Sequence, residues 1–209
     1  MSLEDSARED IAFIRRAVEQ GRDFAAGRSL DMLVWGTAVA IGYLGTYATA
    51  IRWWRVDPNW VWAVCIVLPW LYSLRRLFAA LLFPSKPRPT PPPMVQALRM
   101  LWFGCGIFLS SFAVAVIIGG DMRQGWFNAV SAGVLGIGFF ASSFLCSLTW
   151  MRGVGIGWWV AALLLYALRH RVEVLPLSAV LMLLLLALPG LLLWRGRPTS
   201  AAPTAPAAA

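Results

Sequence analysis

Charge is scarce in this chain. Asp, Glu, Lys and Arg make up 13% of its 209 residues, against roughly 25% in soluble domains. Histidine is scarcer still, His170 standing alone. One imidazole cannot supply the several His ligands of a typical zinc site or of a bis-histidine haem. The three cysteines, Cys65, Cys105 and Cys146, show no CxxC or other paired spacing. Neither a disulfide framework nor a cysteine zinc site is therefore expected, and the thiols read as small apolar residues.

Acids are equally telling by their position. Of ten, seven lie at or before Asp31, and the rest are Asp57, Asp121 and Glu173, between apolar runs. No run carries Asp, Glu, Lys or His near its centre. Such groups mark proton relays, ion coupling and intramembrane catalysis, so an ion-driven pump and an intramembrane metalloprotease are both disfavoured. Ser110, Ser111, Ser142 and Ser143 offer hydroxyls at that depth but no base to activate them, which leaves packing as their role. The "GVGIG" of Gly153–Gly157 lacks the Lys-Ser/Thr and the preceding strand of a phosphate loop. A headgroup enzyme built from Asp57, Asp121, Arg123, Arg169, His170, Arg171 and Glu173 would need a specific spacing that these residues do not have. No catalytic, cofactor-binding or metal-binding residue is assigned, and no cofactor is expected.

What the chain does have is apolar length. It is 59% hydrophobic, with a mean hydropathy of +0.68, and several runs approach the roughly 20 residues that cross a bilayer. The reading is an all-α membrane protein, a six-transmembrane-helix bundle preceded by a short cytoplasmic amphipathic helix. Residues 1–30 hold that helix, 31–195 the membrane domain, and 196–209 a low-complexity tail expected to be disordered. The spans fall at about 32–51, 60–83, 95–118, 126–150, 156–171 and 177–194. From Trp60 to Leu74 the second covers only about 22 Å, so Arg75 and Arg76 must snorkel toward water. The first 30 residues lack the apolar core of about 7–15 residues that a cleaved signal peptide carries. "PSKPRPTPPPM" (Pro84–Met94) reads as an extended connector.

Basic residues set the orientation. With the N-terminus inside, thirteen of the eighteen Lys and Arg lie on the cytoplasmic side and five (Arg52, Arg55, Arg123, Arg169, Arg171) on the other. Both termini are thus expected in the cytoplasm. Eleven of twelve tryptophans lie toward span ends, as an aromatic belt requires, and only Trp70 looks deep. The net charge of +8 is spread over run ends rather than gathered in a patch, which argues against nucleic acid. Small residues suited to close helix contact are Gly36, Gly42, Gly45, Ala132, Gly136, Gly138, Ser142, Gly153 and Gly157.

The stretch "REDIAFIRRAVEQGRDF" (Arg8–Phe24) is different in kind. Leu3, Ala7, Ile11, Ile14 and Val18 recur at helical spacing as one apolar stripe, and Ser6 with Glu9 offers a capping box. Gly21 is read as a position that ends or loosens this helix. Six acids against four arginines between Glu4 and Asp23 suit protein contact better than anionic lipid. The "EDIAFIRRAVE" stretch and the overall layout resemble multi-pass bacterial inner-membrane proteins with a cytosolic N-terminal helix. That resemblance implies an inner-membrane location and carries no activity. The function expected is non-enzymatic regulation or scaffolding, with the bilayer as solvent and the stripe docking on a cytosolic protein or a second copy. The alternative is a small transporter or a lipid or apolar-ligand binder between two three-span halves.

Overall fold

The computed structural model describes residues 26–82, 92–119 and 126–195, together with Ile11, Ala12, Arg15, Glu19, Gly21 and Asp23 upstream. All regular structure among them is helical. The elements are α1 (Ser29–Ala50), α2 (Pro58–Leu82), α3 (Pro93–Gly119), α4 (Trp126–Leu145), α5 (Trp150–Ala167) and α6 (Val174–Met182). A π-helical stretch, Leu183–Ala187, then joins α6 without a break to α7 (Leu188–Arg195), giving six rods. Residues 84–91 of the expected extended connector and the tail (196–209) lie outside the described residues; the connector's last two residues, Pro93 and Met94, open α3 instead, proline being well tolerated in a first helical turn.

Four rods are long and apolar enough to cross a membrane: Pro93–Val116, Trp126–Leu145, Trp150–Ala167 and Val174–Arg195. The expectation of six is corrected to this extent: among the described residues α1 and α2, though 22 and 25 residues long, do not reach that apolar standard. The reason is dilution. Gly36, Gly42, Gly45, Thr37, Thr46, Thr49 and Tyr43 lower the hydropathy of α1, and Trp60, Trp62, Trp70, Tyr72 and Arg75 lower that of α2.

Helix ends follow local chemistry. Asp57 and Pro58 start α2, the carboxylate accepting the Asn59 amide at 2.8 Å while proline sits where its missing N–H costs nothing. Two ends close on residues other than glycine. Arg52 (φ 60) and Ser147 (φ 51) are left-handed. Around them Trp53 N donates to Ala48 O and Arg52 N to Thr49 O, and Leu148 N to Ser143 O and Ser147 N to Phe144 O. This is the Schellman pattern. It ends α4 at Leu145 rather than near 150 and lets α5 begin at Trp150, a boundary that no Gly or Pro advertises. As a result Trp158 and Trp159 lie mid-helix, not at a span end as expected.

Successive rods run antiparallel. Trp35 meets Ser73 near one end of the α1–α2 pair and Thr46 meets Trp62 toward the other. Trp102 of α3 meets Ser142 of α4, and Phe112 meets Trp126. The near end thus carries Ser29, Arg75, Cys146 and Arg195, and the far end Arg52, Asp57, Trp126 and Arg169. The core lies between α1, α4, α5 and the last rod, where Phe139 is 0% and Trp158 1% exposed. Gly136 and Gly155 bring α4 and α5 together closely: a Cβ on either would sit 3.1 Å from the other's carbonyl oxygen. Gly36 meets Ala187, and Gly190 meets the Ser29 carbonyl, so α1 lies along the last rod.

The π-helical stretch has a covalent cause. Pro189 has no N–H, so the carbonyl four residues back, Leu185 O, loses its helical donor, and the proline ring crowds it. Trp158 supplies a substitute, its Nε1 donating to Leu185 O at 3.1 Å. A half-buried carbonyl is thereby satisfied.

Candidate functional site

The N-terminal stretch reaches the bundle at one described position. Gly21 is helical and buried, and a Cβ there would lie 2.9 Å from Leu145 O and 3.2 Å from Cys146 Cα. The absent side chain is what allows the contact. Gly21 therefore continues the helix and docks it, where the sequence suggested that it ends or loosens it. Beneath it, Cys146 and Leu98 form a small second core with Met94, Leu145, Leu148 and Leu193. Cys146 is 1% exposed, and burial pushes its thiol up to about 11.

Of the proposed docking stripe only Ile11 is described, and it is 67% exposed. Leu3, Ala7, Ile14 and Val18 lie outside the described residues. Arg15 and Glu19 form an exposed i,i+4 pair at 3.2 Å, the solvent face of the same helix. Val18 and Gly21 are three apart, so the contact at Gly21 prolongs the stripe's own spacing. That was the signal available for it.

Charge also gathers at the near end. Asp31 has only 12% of its side chain exposed and pairs with Arg28 at 3.3 Å and Arg75 at 4.0 Å. Arg75 also lies over the Tyr72 ring and donates to the Tyr72 carbonyl. The expected snorkelling of Arg75 thus has a partner, a carboxylate at the start of the neighbouring rod. Asp31 sits in the first turn of α1, where the helix dipole favours it. Two opposite charges at the same end of adjacent runs were the readable sign.

The small residues mostly meet neighbours within the chain. Gly42 lies against the Trp62 indole, and Gly45 against Val61 and Trp54. Ala132 is buried. Gly136 would meet the Trp159 indole, and Gly138 faces Trp102, whose Nε1 donates to Ser142 Oγ at 3.0 Å. Gly157 meets Leu185, whereas Gly153 has nothing within 4 Å. The close approach in "GVGIG" is made by Gly155. It shares a face with the buried Met151, Trp158, Ala161 and Leu165, a spacing readable in the sequence.

Other polar side chains are mostly tied up locally. Tyr43 OH donates to Asn128 Oδ1 at 2.9 Å, Trp62 Nε1 to Thr46 Oγ1 at 2.9 Å, and Ser178 Oγ to Val174 O at 2.7 Å. The loop charges do not form one constellation: Asp57 caps α2, while Arg169 and His170 line an open far-end cavity with Trp126 and Tyr166. Asp121 and Arg123 lie outside the described residues. Among the described residues no group of three His, Cys, Asp or Glu could hold a metal ion. No protein family, curated protein or solved structure matches the chain.

Proposed function

We propose that this is a six-span bacterial inner-membrane protein that regulates or scaffolds, without catalysis, through its N-terminal helix. The observation that carries the reading is the contrast along that helix. Gly21 is packed against the α4–α5 turn, while Ile11 ten residues earlier holds 67% of its surface open. A helix anchored at one end and apolar-exposed at the other suits helix-in-groove contact with a cytosolic protein or a second copy.

The six-span part rests on packing. The last rod is the most apolar of the four that could cross. Along it α1 runs from Gly190–Ser29 to Gly36–Ala187, so both occupy the same depth. Buried Gly36, Gly42 and Gly45 face protein rather than lipid, so their low hydropathy costs little insertion energy. α2 follows as the antiparallel neighbour of α1. The excess of Lys and Arg on the near side supports cytoplasmic termini. The interior is filled by Phe139 and Trp158, which favours a scaffold over the alternative, a small transporter or apolar-ligand binder.

Cys146 is the reporter for a test. With Cys65→Ala and Cys105→Ala, a maleimide at pH 8 should label Cys146 slowly, because the thiol is covered and its thiolate scarce. Adding Gly21→Leu, whose side chain meets the Leu145 carbonyl, should speed labelling by about tenfold or more, equivalent to ~1.4 kcal/mol of lost docking. Deleting residues 1–28 should do the same and remove any co-purifying partner. Equal labelling of all three proteins would refute the docked helix.

A further inference from the structure

The far end holds a feature that N-terminal docking does not use. An open cavity of about 510 Å³ is lined by Trp126 from the start of α4, Tyr166 near the end of α5, and Arg169 and His170 just beyond it. Among the described residues its wall carries two aromatic rings and two basic side chains, and no acid. Arg169 is held in place: its guanidinium lies over the Tyr166 ring, 4.2 Å from the centroid, and its NH1 donates to Tyr166 O at 2.9 Å. That bond uses one of five guanidinium donors. Among the described residues the ion pairs are Arg15–Glu19, Arg28–Asp31 and Arg75–Asp31, so none of the described carboxylates pairs with Arg169, Glu173 four residues on included.

A cation fixed by a ring and a helix-end carbonyl, with free forked donors facing a cavity, matches the geometry of a phosphate oxyanion. Trp and Tyr beside it suit the level of a bilayer where headgroups lie. We infer that the Trp126–Tyr166–Arg169–His170 cavity binds a phosphate-bearing anion, carried by an anionic phospholipid headgroup or by a soluble phosphate ester. Arg169 grips the phosphate, Tyr166 positions Arg169, His170 adds a second N–H donor, and Trp126 closes the opposite wall.

The test uses the full-length protein in nanodiscs of equal phosphatidylglycerol and phosphatidylcholine, with retained lipid read by native mass spectrometry. Wild type should hold phosphatidylglycerol preferentially, and Arg169→Gln about tenfold less, the loss of one charge-assisted contact. Tyr166→Leu should lower retention as well. Arg55→Gln removes an exposed cation at the same end but outside the cavity, and should behave as wild type. Unfolding midpoints in SDS are compared so that only folded variants count. A second arm titrates glycerol phosphate at millimolar concentration. Displacement of the retained lipid that depends on Arg169 identifies the soluble ester as able to occupy the cavity. Retention unchanged by it identifies the membrane lipid. Equal retention in wild type and Arg169→Gln, with no effect of glycerol phosphate, overturns the inference.

Discussion

Replacing Trp158 by Phe isolates one hydrogen bond in an apolar interior. The indole Nε1 donates to Leu185 O at 3.1 Å, and Trp158 is 1% exposed. Pro189 denies that carbonyl the amide donor it would find in a regular helix. Trp158→Phe therefore leaves a half-buried acceptor without its donor, costing about 1–3 kcal/mol, and the smaller ring adds a cavity term of about 1 kcal/mol. The sum is about 2–4 kcal/mol, read as a lowered midpoint in an SDS titration followed by circular dichroism. The control is Pro189→Ala, which returns an N–H four residues after Leu185. In that background Trp158→Phe should lose only the size term, a coupling of about 1–3 kcal/mol. If Trp158→Phe costs the same with and without Pro189, Leu185 O does not depend on the indole. The account of the π-helical stretch would then be wrong.

Other expectations can be checked by the same titration. Ser147→Gly removes a Cβ from a left-handed helix end and should stabilise by about 1 kcal/mol, with Arg52→Gly giving a similar gain. Gly155→Leu should prevent the α4–α5 approach and abolish folded protein on gel filtration, whereas Gly153→Leu, facing open space, should fold normally. Asp31→Ala strips a largely buried carboxylate from Arg75 and should cost about 1–3 kcal/mol. Glu19→Ala, which breaks an exposed pair, should change stability by less than about 0.5 kcal/mol. Reporter fusions after Arg88 and at the C-terminus should read cytoplasm, and one at Gln124 the opposite side; a cytoplasmic reading at Gln124 would sink the six-span proposal.

Helical spacing is a local property, so helix at the described positions between Ile11 and Asp23 could be expected from the sequence. Ile11 lies on the stripe that spacing defines, and the described positions around it are helical. The docking point was not legible as such. Gly21 reads in isolation as a helix breaker, and only the turn at Leu145–Cys146 coming within van der Waals range turns the missing side chain into a contact. The far-end cavity is similar: Arg169 and His170 stood out as loop charges, but the antiparallel pairing of α4 and α5 is what sets Trp126 beside them.

The sequence by itself determined that the chain is helical and carries apolar segments long enough to cross a membrane. Backbone groups in lipid must be satisfied within their own segment, and about 20 apolar residues leave the chain little but a helix. It also determined where a proline would disturb the last rod. Tertiary structure decided the rest. α4 stops at Leu145 because a left-handed Ser147 closes its carbonyls, a conformation that the residue type does not announce. Trp158 became a buried donor rather than a belt residue because the last rod brings Leu185 O within reach. Gly155, not Gly153, became the contact because only one face of α5 meets Gly136 and Phe140. In each case the side chain was visible in advance, but its partner lay on another rod, and contacts between rods depend on packing that no local pattern contains.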